Sequence, residues 1–246
     1  MPLPSNEPLT GVKAPITIDS GMSPWLKRTF AIAEPLSVVA LFVYLLWKTW
    51  LRWSDPLIDF PRDLYIAWRV SEGDLLYQKI STWYGPLANL VQGAAFKIFG
   101  VGIDTMACTN IVLTAVVLLL LRAIFGSIGN RWSRWLISIL FLSVSAFGNY
   151  VLVANYNFIA PYVSQATYSF LGLLLVLWGL LRHLKTEKLV WLGVAGSGFA
   201  VAYLDKPEAP LRRLPTGPTP VKSLRRFATP DASSTQSKPT PSGRRG

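Results

Sequence analysis

Uncharged apolar runs alternate with short polar connections along most of this chain of 246 residues. Four runs contain no Asp, Glu, Lys or Arg, namely 105–121, 135–154, 163–181 and 189–204. A fifth run, 29–51, carries Glu34 and Lys48 near its ends, where long side chains can reach lipid headgroups. A helix needs roughly 20 apolar residues to cross a bilayer, and charge at its centre is costly. The pattern therefore predicts five transmembrane helices, near 29–51, 104–125, 133–154, 163–182 and 188–204.

The polar stretch between the first two predicted spans, 54–100, favours short helices over another crossing. Residues 60–72 carry apolar side chains at helical spacing on one side. Residues 86–99 are apolar but too short to cross, which is typical of an interfacial or re-entrant helix. The expected fold is therefore all-α: a polytopic integral membrane protein with about five transmembrane helices and short amphipathic helices in its first outer loop.

The two ends of the chain differ from its middle. Residues 1–28 are polar and Pro-rich, and they predict a disordered cytoplasmic N-terminus. Residues 205–246 hold eight prolines, nine Lys or Arg and three Asp or Glu, which is +6 of the total formal charge of +11. A segment of this kind buries too little apolar surface to fold, so it is expected to be disordered. The transmembrane domain is thus expected at 29–204.

Basic residues in the connections predict the orientation in the membrane. The turns 126–134 and 182–188 contain Arg and Lys, whereas the turn 155–162 contains none. Because cytoplasmic loops are enriched in Lys and Arg, both basic turns and the N-terminus are expected in the cytoplasm. The loop 54–100 then lies outside. Five crossings would also place the basic tail outside, against the same rule, so we expect 205–246 to be a non-native or frameshifted continuation.

Few residue types suited to metals or disulfides are present. The chain has one cysteine, Cys108, and one histidine, His183, so neither an intramolecular disulfide nor a His-based metal cluster can form. No cofactor is expected, and a divalent metal stays possible without support. The basic tail lacks the regular aromatic residues of a single-strand binder, so nucleic acid is not expected as a partner. The apolar runs make the lipid bilayer an expected partner.

Carboxylates and arginines in the loop 54–100 are the candidates for chemistry. Asp59 precedes the predicted helix and can cap its N-terminus. A carboxylate at the membrane face can also take a proton from an acceptor hydroxyl, while an arginine holds a phosphate leaving group. These two interpretations are compatible. Arg62 and Arg69 are seven residues apart and share a helix face. Asp63, Glu72 and Asp74 are expected to form a solvated surface.

The order of short motifs in this loop resembles that of GT-C class membrane glycosyltransferases, such as the bacterial aminoarabinose transferases and protein O-mannosyltransferases. The shared motifs are, in order, Asp59, Pro61-Arg62, Ile66-Ala67, Gly73-Asp74, Gly85-Pro86-Leu87 and Phe99-Gly100. Three further elements are similar to a bacterial branch of the class, namely the Tyr84-Gly-Pro-Leu turn, Asn155-Tyr-Asn-Phe and Lys206-Pro-Glu208. The resemblance covers roughly residues 30–208.

The resemblance implies inverting transfer of a sugar from a polyprenyl-phosphate donor to an acceptor hydroxyl, at the outer face of the bacterial inner membrane. It implies Asp59 as the catalytic carboxylate and a substrate-binding set of Arg62, Asp63, Arg69 and Tyr84. Members of the class commonly have a second acidic residue directly after the first. Here Phe60 stands there, so a metal or paired-carboxylate role is not indicated, and Asp63 is the nearest substitute.

Members of the class have about twice as many spans, so the chain is expected to be a truncated, N-terminal portion of such an enzyme. The alternative is a non-enzymatic membrane scaffold or a fragment of a transporter. The sequence leaves open the sugar, the acceptor and the oligomeric state.

Two smaller patterns concern the later spans. Three glycines, Gly193, Gly196 and Gly198, are expected to allow close helix packing. Four amide side chains are expected near the outer ends of the third and fourth spans, where they cap helices or bind a sugar, namely Asn149, Asn155, Asn157 and Gln165.

Overall fold

A computed structural model describes residues 23–50, 52, 60–148 and 157–206. These residues form helices joined by turns, with no strand among them. The helices are α1 (Pro24–Thr49), α2 (Phe60–Ser71), α3 (Leu87–Phe99), α4 (Ile103–Ile128), α5 (Arg131–Leu140), α6 (Ser164–Thr186) and α7 (Val190–Asp205). A π-helical segment, Phe141–Ala146, directly continues α5. The described residues all belong to one compact unit. The all-α expectation is confirmed for the described residues.

Three helices, α1, α4 and α6, are long and apolar enough to cross a membrane. The other two predicted spans are shorter. Helix α7 has 16 residues, which at about 1.5 Å per residue covers about 24 Å of a hydrocarbon layer roughly 30 Å thick. The predicted span 133–154 begins as α5, and its π-helical continuation ends at Ala146, while residues 149–156 lie outside the described part. The structure therefore supports three spans, and the number five stays a prediction.

The helix limits correct both predicted domain boundaries. Helix α1 begins at Pro24, so residues 24–28 are helical although they were assigned to a disordered terminus. Proline suits the first turn, because its ring fixes φ and its missing N–H has no partner there anyway. At the other end, α7 includes Asp205, whose side chain is completely buried, so the tail does not begin at that residue. The remaining tail, 207–246, lies outside the described residues.

Helices α6 and α7 pack together through glycines. A Cβ atom on Gly172 would lie 2.6 Å from the Ala202 nitrogen and the Gly198 oxygen, and one on Gly179 would lie 2.8 Å from the Ala195 nitrogen. Small residues let backbones approach this closely. The prediction of close packing is confirmed for Gly198. It is wrong for Gly193 and Gly196, where an added Cβ would meet nothing within 4 Å.

Helices α2 and α3 pack against each other and the start of α4. The buried side chains of Ala67, Phe96 and Met106 form a small apolar cluster there. Gly93 lies directly under Val70, because an added Cβ would approach the Val70 Cγ1 atom to 2.6 Å. The two helices match the predicted segments 60–72 and 86–99 to within a residue at each end. A hydrogen bond from the Ser164 N–H to Asp63 Oδ2 holds the first turn of α2 close to the start of α6.

Candidate functional site

The first turn of α2 carries a buried carboxylate. Asp63 is 1% exposed, and its Oδ2 accepts a hydrogen bond of 2.9 Å from the backbone N–H of Ser164, the first residue of α6. The Arg62 Nε lies 3.6 Å from Asp63 Oδ1. Burial raises the pKa of Asp63, against the N–H of Ser164 and the charge of Arg62, which lower it. A carboxylate at a helix N-terminus is favoured by the free N–H groups and the helix dipole.

These contacts overturn the expectation of a solvated surface at Asp63. The burial also leaves this carboxylate no open face toward a ligand. Asp63 therefore joins α2 to α6 and positions Arg62. Glu72, by contrast, is exposed as expected.

A second buried carboxylate, Asp205 at the end of α7, holds the turn before α3. Its Oδ1 accepts the Ala88 N–H at 2.9 Å, and its backbone oxygen accepts the Gly85 N–H at 2.9 Å. Burial raises the pKa of Asp205 to about 6, against the N–H groups of Ala88 and Leu87, and the charge of Asp63 raises it further. The Gly85 position admits no side chain, because a Cβ there would lie 1.5 Å from the Leu204 oxygen.

The turn that Asp205 holds places Tyr84 close to two cations. The Arg62 Cζ lies 5.5 Å from the centre of the Tyr84 ring, and the Lys206 Nζ lies 5.9 Å from it. Both distances are within the range of cation–π attraction. The Tyr77 hydroxyl donates to the Tyr84 backbone oxygen at 2.7 Å, which further fixes the turn. Two cations from distant parts of the chain are thus gathered around one aromatic ring.

A cavity of about 610 Å³ adjoins this arrangement. Its lining includes Tyr84 and Lys206, and the rest comes from the π-helical segment, residues 157–163 and helix α6. The wall is mostly apolar and aromatic, with Phe141 and Phe158 in edge-to-face contact at 5.1 Å. Ligand sites commonly combine an apolar cavity of 300–1,000 Å³ with a few convergent polar groups. This cavity, with Lys206 in its lining, has that character.

The predicted site residues do not all converge. Asp59 lies outside the described residues, so its predicted role stays a prediction. Arg62 and Tyr84 meet as predicted. Arg69 lies on the same face of α2 as Arg62 but two turns further on, about 10 Å along the helix axis. It forms an ion pair with Asp74, as does Lys79 at 3.1 Å. These partners lower the pKa of Asp74, the hydrogen bond from Lys79 most strongly. The convergence of Arg69 with Arg62 and Tyr84 stays a prediction.

The amide side chains act in the scaffold. Asn157 Oδ1 accepts the backbone N–H groups of Ile159 and Ala160 and so closes a turn in the loop before α6, which begins at Ser164. Asn110 donates to the Ile159 oxygen at 3.0 Å and accepts from Gln92 at 2.8 Å, so α3, α4 and the loop before α6 are linked. Gln165 is completely buried. Asn149 and Asn155 lie outside the described part of the chain.

Sequence reasoning missed Asp205 as a site residue, because it was placed in the tail. A usable signal existed, since this carboxylate ends an apolar run without other charges and directly precedes Lys206. Within the described ranges, no group of three or more His, Cys, Asp or Glu side chains is arranged to hold a metal ion.

No protein-family model matches the chain, and neither the curated proteins nor the solved structures contain a match to it. The class of the protein is therefore set by the fold. It is a helical protein whose three long apolar helices indicate a membrane protein.

Proposed function

We propose that this protein is a GT-C type glycosyltransferase, with five membrane crossings and a cytoplasmic N-terminus in a bacterial inner membrane. It transfers a sugar from a polyprenyl-phosphate donor to an acceptor hydroxyl at the outer face. The observation that carries the proposal is the placement of Tyr84 and Lys206, with Arg62 beside them, at a large apolar cavity.

A polyprenyl-phosphate sugar combines an anionic phosphate with a long hydrocarbon chain, and the cavity offers a counterpart to each. Arg62 can bind phosphate oxygens in a bidentate manner, and Lys206 adds a second positive charge. The aromatic wall formed by Phe141, Phe158 and Phe170 suits the isoprenoid chain. Since buried apolar area contributes about 25 cal/mol per Å², the hydrocarbon would supply affinity and the cations would supply orientation.

In the proposed reaction the acceptor hydroxyl oxygen attacks C1 of the donor sugar. The C1–O bond to phosphate breaks, and its electron pair leaves with the phosphate. A carboxylate takes the hydroxyl proton, and the resemblance assigns that role to Asp59. Arg62 and Lys206 stabilise the charge that develops on the leaving phosphate. Asp63 and Asp205 hold the helices that carry these two cations.

The direct test measures binding of undecaprenyl phosphate to the purified full chain in neutral detergent. Replacing Arg62 or Lys206 by Gln should weaken binding roughly tenfold each, the expected effect of losing one charged hydrogen-bonding partner. Lys97→Gln is the matched control, because Lys97 is an exposed cation at the end of α3 and does not line the cavity. Equal weakening of binding by all three variants would attribute the effect to general electrostatics and would refute the proposed binding site.

Turnover is tested separately with a polyprenyl-phosphate sugar and a panel of acceptors. Asp59→Asn should abolish sugar transfer while undecaprenyl phosphate still binds. Undiminished transfer by this variant would exclude Asp59 as the base. Tight binding without transfer by the unmodified chain would instead favour the alternative of a non-enzymatic membrane protein.

A further inference from the structure

A cluster of cations lies where α6 ends and α7 begins. Arg182 and Lys185 lie near the end of α6, and Lys188 lies in the turn before α7. Lys185 donates to the Ser127 backbone oxygen near the end of α4, so the ends of α4 and α6 lie side by side. Lys206 follows the other end of α7, about 24 Å away along that helix. The cluster is therefore separate from the cavity that Lys206 lines and does not depend on glycosyl transfer.

Arg182 is held against an aromatic surface. Its Cζ lies 4.9 Å from the centre of the Trp191 ring, and the rings of Trp191 and Trp178 meet edge to face at 5.0 Å. The close approach of α6 and α7 fixes Trp191, because a Cβ on Gly179 would lie 2.7 Å from the Trp191 backbone oxygen. Trp178 lies one turn before Arg182 on α6, a helix long and apolar enough to cross a membrane. The aromatic wall therefore runs from the charge of Arg182 about 6 Å toward the bilayer interior.

Lys188 brings a second positive charge to the same place. Its backbone oxygen accepts the Trp191 N–H at 3.2 Å and lies 3.1 Å from His183 Nδ1. These contacts place Lys188 beside the tryptophan that holds the Arg182 guanidinium. The Lys188 side chain is exposed, so its ammonium group is accessible to a ligand. One phosphate group is thus within reach of both cations.

Arg182 and Lys188 have no carboxylate partner in the part of the chain that the structure describes. The segment 182–188 contains three Lys or Arg residues and one acidic residue, Glu187. Basic segments next to a membrane are attracted to anionic lipids, and each Lys or Arg strengthens that attraction. The turn therefore favours an anionic partner from outside the chain.

Two other cations at this end of the bundle differ, because they are ion-paired inside it. The buried Glu34 of α1 places Oε1 2.7 Å from Arg122 Nη2 and Oε2 3.0 Å from Arg134 Nη2. Glu34 was expected to reach toward the headgroups, and the structure instead turns it into the bundle. These two arginines thus have an anion within the chain, unlike Arg182 and Lys188.

Exposed leucines indicate the level of the turn in the bilayer. Leu184 is 78% exposed and Leu189 is 76% exposed, one on each side of the turn. Covering such apolar surface with hydrocarbon is favourable by about 25 cal/mol per Å². The cations of the turn therefore lie at the level of the lipid phosphates, where tryptophan side chains are also enriched.

We propose that the α6–α7 turn binds the headgroup of an anionic glycerophospholipid. The phosphate lies against Arg182 and Lys188, and the glycerol and upper acyl chains lie on Trp191 and Trp178. The aromatic wall distinguishes a lipid from a free phosphate ion, which would gain nothing from it. The charge of the turn 182–188 predicts that the lipid comes from the cytoplasmic leaflet.

The test is a titration of the purified full chain, in neutral detergent, with phosphatidylglycerol or phosphatidylcholine, followed by native mass spectrometry. Phosphatidylglycerol should bind saturably and phosphatidylcholine should not. Arg182→Gln should weaken phosphatidylglycerol binding roughly tenfold, and Lys188→Gln roughly fivefold. Lys97→Gln is the matched control, because it removes the same charge from an exposed residue near the other end of α4. Its effect should stay below about twofold.

The Lys188 variant separates recognition from folding, because that side chain is exposed and the contacts of Lys188 with the helices are made by its backbone oxygen. Unchanged affinity of Lys188→Gln for phosphatidylglycerol would overturn the proposal, even where Arg182→Gln failed to fold. Equal binding of the two lipids, or equal weakening by Lys97→Gln, would overturn it as well. Displacement of phosphatidylglycerol by sodium phosphate, but not by sodium chloride of the same ionic strength, would show that the turn takes a free anion and not a lipid.

Discussion

The close contact between α6 and α7 predicts opposite changes in stability when two glycines with different surroundings are replaced by alanine. Gly172 lies in the contact, where an added Cβ would approach the Ala202 nitrogen and the Gly198 oxygen to 2.6 Å and the Ala202 Cβ to 3.0 Å. Gly196, two residues from Gly198 on α7, has nothing within 4 Å of an added Cβ. The substitutions Gly172→Ala and Gly196→Ala therefore add the same methyl group to a closed and to an open position.

The expected magnitudes have opposite signs. Carbon atoms pack at about 3.5–4.0 Å, so the two backbones must separate by close to 1 Å to accept a methyl group at residue 172. Overpacking of this kind typically costs 1–3 kcal/mol, and loosened contacts along the rest of α6 and α7 add to it. Alanine is favoured over glycine in a helix by about 1 kcal/mol. Gly172→Ala should thus lower the free energy of unfolding by about 1–2 kcal/mol, whereas Gly196→Ala should raise it by up to about 1 kcal/mol.

Unfolding of the purified chain in mixed micelles, with an increasing fraction of sodium dodecyl sulfate and detection by circular dichroism, measures both changes. The difference between the two variants should reach about 2 kcal/mol, which is well above the usual experimental error. Equal stability of the two variants, or a Gly172→Ala protein more stable than the unmodified chain, would refute the close approach of α6 and α7.

Two further predictions concern the contacts by which Asp205 holds Gly85 and Ala88. Burial raises the pKa of Asp205 to about 6 from an ordinary 3.8, so between these pH values the folded state binds more protons than the unfolded state. The free energy of unfolding should therefore fall as the pH rises from about 4 to about 6. Asp205→Asn should flatten this slope in unfolding measured at several pH values, and an unaltered slope would assign the effect to other groups, Asp63 first. Gly85→Ala should cost at least about 3 kcal/mol and weaken undecaprenyl phosphate binding, because its Cβ would overlap the Leu204 oxygen. Gly102→Ala is the control, since its position is open and its φ of 178° suits any residue. Equal losses of stability in both variants would contradict the close contact between Gly85 and the end of α7.

Local patterns predicted the helices well, because a helix is specified by neighbouring residues. The apolar runs gave α4 and α6, and the spacing of residues 60–72 gave α2 to within one residue. The number of spans was harder to predict, because apolar composition alone does not determine where a helix ends. Helix α7 is as apolar as a span but ends at Asp205 after 16 residues.

The contacts that build the candidate site could not be predicted, because they join residues far apart in the chain. Asp205 and Ala88 are separated by 117 residues, and Asp63 and Ser164 by 101. The sequence identified Arg62 and Tyr84 through the motif resemblance, yet it assigned Asp63 to a solvated surface. A carboxylate in a polar loop looks the same in sequence whether it faces water or the N-terminus of another helix.

The two buried carboxylates share one structural role, which explains why the candidate site depends on the end of α7. Asp63 accepts a hydrogen bond at the start of α6, and Asp205 accepts one at the start of α3. Each carboxylate therefore satisfies a free N–H group of a helix that is distant in sequence. Arg62 is adjacent to the first carboxylate and Lys206 to the second, which brings both cations to Tyr84. The arrangement of charge at the cavity is therefore a consequence of how the helix ends are capped, and it exists only when the chain is folded through residue 206.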